Sequence, residues 1–211
     1  MKTSLLLKLT LVALVGALAL PAGAATTSAD FTTMFTGTAN KTAYFGATDM
    51  SIIPATGFGT NLIGAKRLKV GDQIQLALSG VAQFGSNNAA NTLQIKVKAG
   101  AYTIANTQPM LLSSNSTAVL ATDPHWDLTF KATCRTNGAT GFLIGEGVFR
   151  CQWWANHTNV VTYQVTNDLG LVVGTTTNFI IDVTAKFADP LGYGAQTNRL
   201  TTQNCWIGLT R

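Results

Sequence analysis

From Trp126 to Arg135 the chain alternates without a break. Trp126, Leu128, Phe130, Ala132 and Cys134 are apolar, and Asp127, Thr129, Lys131, Thr133 and Arg135 between them are polar. A helix repeats every 3.6 residues and a strand every two. Alternation held this long therefore sets one apolar face against one wet face and predicts a half-buried antiparallel strand. His125 shares the polar parity of Asp127 and is expected to sit solvated at the strand mouth. Pro124 is expected at the strand start, where a missing N–H costs least.

The same rhythm returns along the chain. It places Ile74, Leu76 and Leu78 on one face in "DQIQLALSG", and Leu93, Ile95 and Val97 in "NTLQIKVKAG", with Lys96 and Lys98 facing out. It sets Phe149, Cys151 and Trp153 against Arg150, Gln152 and Trp154. It recurs at Val161, Tyr163 and Val165, at Phe179, Ile181, Val183, Ala185 and Phe187, and at Cys205, Ile207 and Leu209. "AYTIAN" is a weaker strand. Turn chemistry separates the runs at 70–72, 85–88, 136–141 and 166–168. Only 11% of the residues are charged, against about 25% in an ordinary soluble domain. No stretch beyond residue 24 reads as a helix. These features predict an all-β protein: a two-sheet antiparallel β-sandwich of jelly-roll type over residues 61–211.

Two other segments precede it. Residues 1–24 read as a signal peptide or membrane-anchor helix: Lys2 and Lys8 are followed by apolar residues to Leu20, then Pro21 and the small-residue run Ala22-Gly23-Ala24. This is the one segment expected to meet a membrane, if it is not cleaved. Residues 25–60 are rich in Thr and Gly, dotted with Phe, Tyr and Met, and alternate poorly. They are expected to form an irregular arm that packs on its own sandwich or on a neighbour.

Residues of the kind that perform chemistry are few. The net charge is +5, but the basic residues are scattered, and a nucleic-acid groove needs them concentrated. His125 and His157 are the only histidines. On a strand, residues i and i+2 share a face, so His125 and Asp127 could reach one ion, yet no third ligand is evident among their neighbours. Asp72, Asp123, Asp168, Asp182 and Asp189 fall in turns or on outward faces. Glu146, between Gly145 and Gly147, is expected at a bulge. There is no GxSxG elbow and no phosphate-binding glycine loop. No enzyme activity, metal or cofactor is therefore expected. Cys134, Cys151 and Cys205 are odd in number and in no zinc spacing. They read as small apolar residues on strands, and if a disulfide forms, Cys205 is the expected partner. Trp153 and Trp154 point to opposite faces, so they cannot make one platform. Trp154 is the one expected to be exposed, serving a subunit contact or, alternatively, a glycan. Trp154, His125 and Asp127 are the candidate surface-contact residues. The three acceptor patterns at Asn40, Asn115 and Asn156 are expected by chance in so Thr- and Asn-rich a chain.

In order, "LKVGDQIQLALSG", "NTLQIKVKAG", "HWDLTFKATCRTNGATGFLIGEGVF", "TTNFIIDVTAKF" and "TTQNCWIGLTR" make the chain similar to the jelly-roll structural proteins of tailed bacteriophage virions. The likeness is to the decoration, fibre and tail types. It covers about residues 60 to 211, and its most specific parts are the Val70-Gly71-Asp72 turn and the run from Trp126 to Gly141. The resemblance implies a β-sandwich without chemistry that forms a homotrimer and contacts other virion proteins. The departure is the N-terminus, since such proteins usually carry no secretion signal. A membrane-anchored phage protein or an exported bacterial relative fits that better. The alternative function is therefore a secreted or cell-surface bacterial binding protein, an adhesin or carbohydrate-binding module that recognises a glycan.

Overall fold

The computed structural model describes residues 31–44, 48–84, 92–111, 121–152, 160–167, 171–188 and 198–211. Phe31–Arg211 is one compact unit. The predicted signal or anchor segment, residues 1–24, lies outside the described residues, as does the start of the arm.

All regular structure among the described residues is strand. In chain order the strands are β1 (Phe31–Gly37), β2 (Lys41–Tyr44), β3 (Met50–Ser51), β4 (Gly57–Gly59), β5 (Leu62–Ile63), β6 (Gln73–Phe84), β7 (Thr92–Ala99) and β8 (Tyr102–Asn106). They continue with β9 (Met110–Leu111), β10 (Ala121–Thr136), β11 (Phe142–Gln152), β12 (Val160–Thr166), β13 (Leu171–Val172), β14 (Phe179–Ala188) and β15 (Arg199–Thr210). The all-β, antiparallel expectation holds. The sheet runs β3-β14-β7-β8-β12-β11-β10-β6-β15-β1-β4 and curls into a half-barrel. Two separate sheets were the expectation from alternation; the ladder is instead continuous, although β8 and β12 meet through the single pair Asn106 and Thr166. Alternation tells which side a residue faces and not which strand lies beside it, so the path of the ladder is not written in it.

Four of the pairings are nested one inside the next: β6 with β15, β7 with β14, β8 with β12 and, innermost, the hairpin of β10 with β11. The chain thus goes out along β6, β7, β8 and β10 and returns along β11, β12, β14 and β15. The additional pairing of β10 with β6 brings the widest part of the sheet together.

The inward faces supply a single core. Ile74, Leu76 and Leu78, Leu93, Ile95 and Val97, Leu128 and Ala132, and Ile181, Val183 and Phe187 are all buried in it. Trp126 stacks on Phe149 with ring centroids 5.9 Å apart. Its indole N–H donates to the carbonyls of Val81 and Thr201, at 3.1 and 3.2 Å, so the largest buried ring carries no orphan donor. Each large side chain fully buried this way contributes about 1.5–3 kcal/mol.

Three local expectations are corrected. Pro124 lies inside β10 rather than at its start, at the irregularity between Thr122 and His125, where the ladder needs no N–H from it. Glu146 sits in unbroken register opposite Lys131, not at a bulge. Its glycine neighbours make room for a ring, because a Cβ at Gly145 or Gly147 would run into Phe130. Asp72 belongs to a turn as expected but is buried, 5% exposed. Its carboxylate accepts the Lys69 N–H at 2.9 Å, beside Gly71 at φ 96°. The "TNGATG" hairpin sets Cys134 opposite Leu143, with Gly138 at φ 105°.

The described part of residues 25–60 joins the sheet. β1 lies between β15 and β4, β2 pairs with β15, and β3 with β14. Ser51 on β3 donates its hydroxyl to Asp182 on β14 at 2.6 Å.

Candidate functional site

The outward face of the widest part of the sheet is built in rows across the strands. One row reads Gln164, Val148, Thr129, Ala77, Trp206, Thr36 and Phe58, from β12 to the edge strand β4. The next reads Thr162, Arg150, Asp127, Ser79 and Asn204. On the other side lies Thr166, Glu146, Lys131, Gln75, Gly208 and Thr33. Registered residues point the same way, so these rows face solvent together.

Four charges at the centre of this face cancel in pairs, while Arg135 and Arg199 stand exposed nearer its ends. Arg150 donates from Nε and Nη2 to one Asp127 oxygen at 2.9 and 2.7 Å. Lys131 and Glu146 approach to 3.1 Å. Uncharged groups are also tied across strands, with Asn204 donating to Ser79 at 3.2 Å and Gln75 to Thr210 at 3.0 Å. The result is a polar surface whose centre carries no net charge.

His125 and Asp127 are indeed on this face. His125 is exposed, and its backbone N–H donates to the Gln152 side chain at 3.1 Å. Both line one shallow depression of about 350 Å³ with Arg150, Gln152, Ser79 and Asn204. Arg150 already occupies the Asp127 carboxylate. Among the described residues no group of three His, Cys, Asp or Glu is placed to hold a metal ion. Trp154, with Trp153 and His157, lies outside the described residues, as do Asn115 and Asn156; Asn40 is exposed.

The cysteines are free thiols on the inward face, each at most 3% exposed. Cys205 therefore has no disulfide partner. Burial pushes the Cys151 and Cys205 thiols up to about 12, with a further push from the charge of Asp127 on the first and Asp182 on the second. Cys134 is raised by burial and then by Asp72. Protonated thiols of this kind are not nucleophiles at neutral pH. Asp182 is also raised by burial, against the opposing hydrogen bonds from Ser51 and the Val183 N–H and the attraction of Lys98 and Lys41. Its observable work is to hold β3.

The feature that alternation did not bring forward is aromatic. Phe31 stacks on Trp206, centroids 5.0 Å apart and planes 15° apart. They meet above Gly208, where any Cβ would touch both rings. At the sheet edge Phe58 is 76% exposed, the most exposed large apolar side chain among the described residues. Next to Trp206, the small side chain of Ala77 leaves a furrow of about 500 Å³ over Ala77 and Thr129. Val148 and Gln164 form its far wall, and the Lys131–Glu146 ion pair closes one end. One signal in the sequence does point here. Trp206 holds the wet parity between Cys205 and Ile207, and a tryptophan there has no core to enter.

Comparison with family models, with curated proteins and with solved structures gives no match.

Proposed function

We propose that this chain is a non-enzymatic structural protein of a bacteriophage virion, of decoration, fibre or tail type, working through contacts with its own copies in threes and with other virion proteins. The observation that carries the reading is the outward face of β12, β11, β10, β6 and β15, where the four charges at its centre are paired with one another and an aromatic patch lies at one margin. The centre of such a face can meet another protein without stranding charges, and interface cores are rich in aromatic residues and poor in unpaired charge. The nested pairing of outgoing with returning strands is that of a long hairpin rolled up, which supports a jelly-roll origin for the curled sheet. In this reading His125, Asp127 and Trp154 are rim contacts.

The test is twofold. Native mass spectrometry of the purified chain should give a trimer at micromolar concentration, and antibodies against it should label particles in immuno-electron microscopy. The exported adhesin or carbohydrate-binding alternative predicts instead a monomer that binds in a glycan array, loses that binding on Trp154→Ala, and leaves particles unlabelled. That outcome would overturn the virion reading.

A further inference from the structure

We propose that Asn137 is a site of spontaneous covalent modification, deamidation through a cyclic imide closed by the Gly138 nitrogen, and that Thr175 keeps it unreacted while the chain is folded. The inference does not depend on what the protein assembles with.

Asn137–Gly138 is the one Asn-Gly pair in the sequence. It lies in the turn between β10 and β11, where Asn137 is exposed. The turn itself demands the glycine, since residue 138 stands at φ 105°. The same lack of a Cβ leaves the Gly138 nitrogen uncrowded as a nucleophile. In the reaction that nitrogen attacks Cγ of Asn137 and closes a five-membered ring. The Cγ–Nδ2 bond breaks, and Nδ2 leaves as ammonia with the proton that the Gly138 nitrogen gives up. Water then opens the ring. Attack at Cγ breaks the bond just made and leaves aspartate. Attack at the main-chain carbonyl carbon breaks the original peptide bond and leaves isoaspartate, with the chain running through the former side chain. In sum one water is consumed and one ammonia released, with no oxidant or reductant.

The folded chain withholds that nitrogen. The Gly138 N–H donates to Oγ1 of Thr175 at 2.8 Å. The Gly138 carbonyl accepts the Thr175 N–H at 3.0 Å and the Gly141 N–H at 3.1 Å. Thr175 thus holds both main-chain groups of Gly138, and it is itself fixed. It is 1% exposed, and its carbonyl accepts the Lys66 N–H at 2.8 Å. Gly141 makes room for it, because a Cβ there would strike Thr175 at Cγ2 and Oγ1. The Gly138 nitrogen attacks only after losing its proton to base in the solvent, and a proton aimed at a buried hydroxyl meets no base. Ring closure therefore waits for the turn to open, as amide exchange does. The clamp also protects register. Isoaspartate adds one main-chain atom inside the turn that sets Cys134 opposite Leu143 and Lys131 opposite Glu146, and the hairpin must shift to take it up.

The experiment uses the full chain in mildly alkaline buffer, with aspartate and isoaspartate at position 137 read over time by peptide mapping and mass spectrometry. The wild type unfolded in urea should react at least about ten-fold faster than the folded wild type. Thr175→Val, which keeps the shape and loses the hydroxyl, should react at least about three-fold faster than the wild type when folded. Its Gly138 amide should exchange faster by a similar factor. Thr175→Ser, which keeps the hydroxyl, should behave as the wild type. Circular dichroism checks that both variants are folded. An unfolded chain left unmodified at Asn137 overturns the site. A folded wild type as reactive as the unfolded one, or a folded Thr175→Val no faster than the wild type, overturns the role of Thr175. Should Thr175→Val not fold, the wild type decides alone. Urea below the unfolding transition must then raise Gly138 exchange and Asn137 modification together, and modification that ignores the exchange rate overturns the proposal.

Discussion

At Gly80 the backbone of a neighbouring strand occupies the place of a side chain. β15 shifts register between Thr202 and Asn204, opposite Gly80 and Ser79, and a Cβ on Gly80 would collide with the Thr201 carbonyl oxygen and press on the Gln203 nitrogen. Neither is a flexible tip, so Gly80→Ala must move a central strand. It should destabilise by about 3 kcal/mol, read as a fall in the urea midpoint. Gly208→Ala is the contrast: its Cβ meets only the rims of the Trp206 and Phe31 rings. It should cost about 1 kcal/mol while disturbing the indole fluorescence. The thiols make a second prediction at this scale. Cys151 and Cys205 have an ordinary value of 9.0 and are raised to about 12 in the folded chain. The folded state therefore holds the thiol proton more tightly than the unfolded state does. This contribution is fully present below about pH 9 and is lost as pH rises from 9 towards 12, because the unfolded chain ionises first. Stability should fall across that window, and Cys151→Ala, measured by denaturation at pH 8 and pH 11, should show a smaller fall than the wild type. At pH 8 a thiol reagent should modify none of the three cysteines until denaturant is added.

At the scale of elements, the Lys69–Asp72 turn that opens β6 shows how a polar group comes to be buried. The Asp72 carboxylate accepts the Lys69 N–H, the Asp72 carbonyl accepts the Cys134 N–H at 2.9 Å, and the Gly71 N–H reaches the Cys134 carbonyl at 2.8 Å. One turn thus sews β6 to β10. Asp72→Ala removes the acceptor of the Lys69 N–H and should cost about 2 kcal/mol, with Asp72→Asn recovering a good part of it. Equilibrium unfolding of the two variants side by side checks this, and equal losses would mean that charge rather than the hydrogen bond matters. The central strands were legible because each has one face in the core and one in water: Trp126 to Cys134, Ile74 to Leu78 and Phe179 to Phe187 read directly as alternation. The short strands at the sheet margin were not. In β1 and β4 the pattern is set by close backbone approach at Gly57 and Gly59 and by an irregularity between Thr33 and Phe35, neither of which leaves a period in the sequence. Of the candidate site, parity placed His125 and Asp127 on the outward face. It could not show that Arg150 takes the carboxylate, because Arg150 is cross-strand and its register depends on the hairpin at Gly138. The Phe31–Trp206 stack and the exposed Phe58 come from segments far apart in the chain, and only the pairing of β1 with both β15 and β4 brings them onto one row.

At the scale of the whole molecule, the pairing of late strands with early ones governs how the protein can fold. β15 lies between β6 and β1 and also carries β2, so the last described residues close the sheet that the first ones open, with Phe31 opposite Thr210. Four nested pairings mean that the loops between partners must be closed before most contacts form. That topology folds in roughly milliseconds to seconds rather than microseconds. It also removes any independent half. Without residues 199–211, β6 would lose its ladder partner on one side, β2 would have no strand to join, and β1 would keep only the short β4. Ile207 and Leu209 would leave the core, baring the side chains they cover. The loss of two such apolar residues alone, at about 1.5–3 kcal/mol each, is comparable to a sizeable share of the 5–15 kcal/mol by which domains are stable. A chain ending at residue 198 should therefore show no cooperative thermal transition and no protected amides in β10 or β11, although the hairpin between those strands is intact in sequence. A sharp transition in that shortened chain would mean instead that the β10–β11 hairpin and its neighbours form a self-sufficient unit, and that β15 is an addition to the fold and not its closing strand.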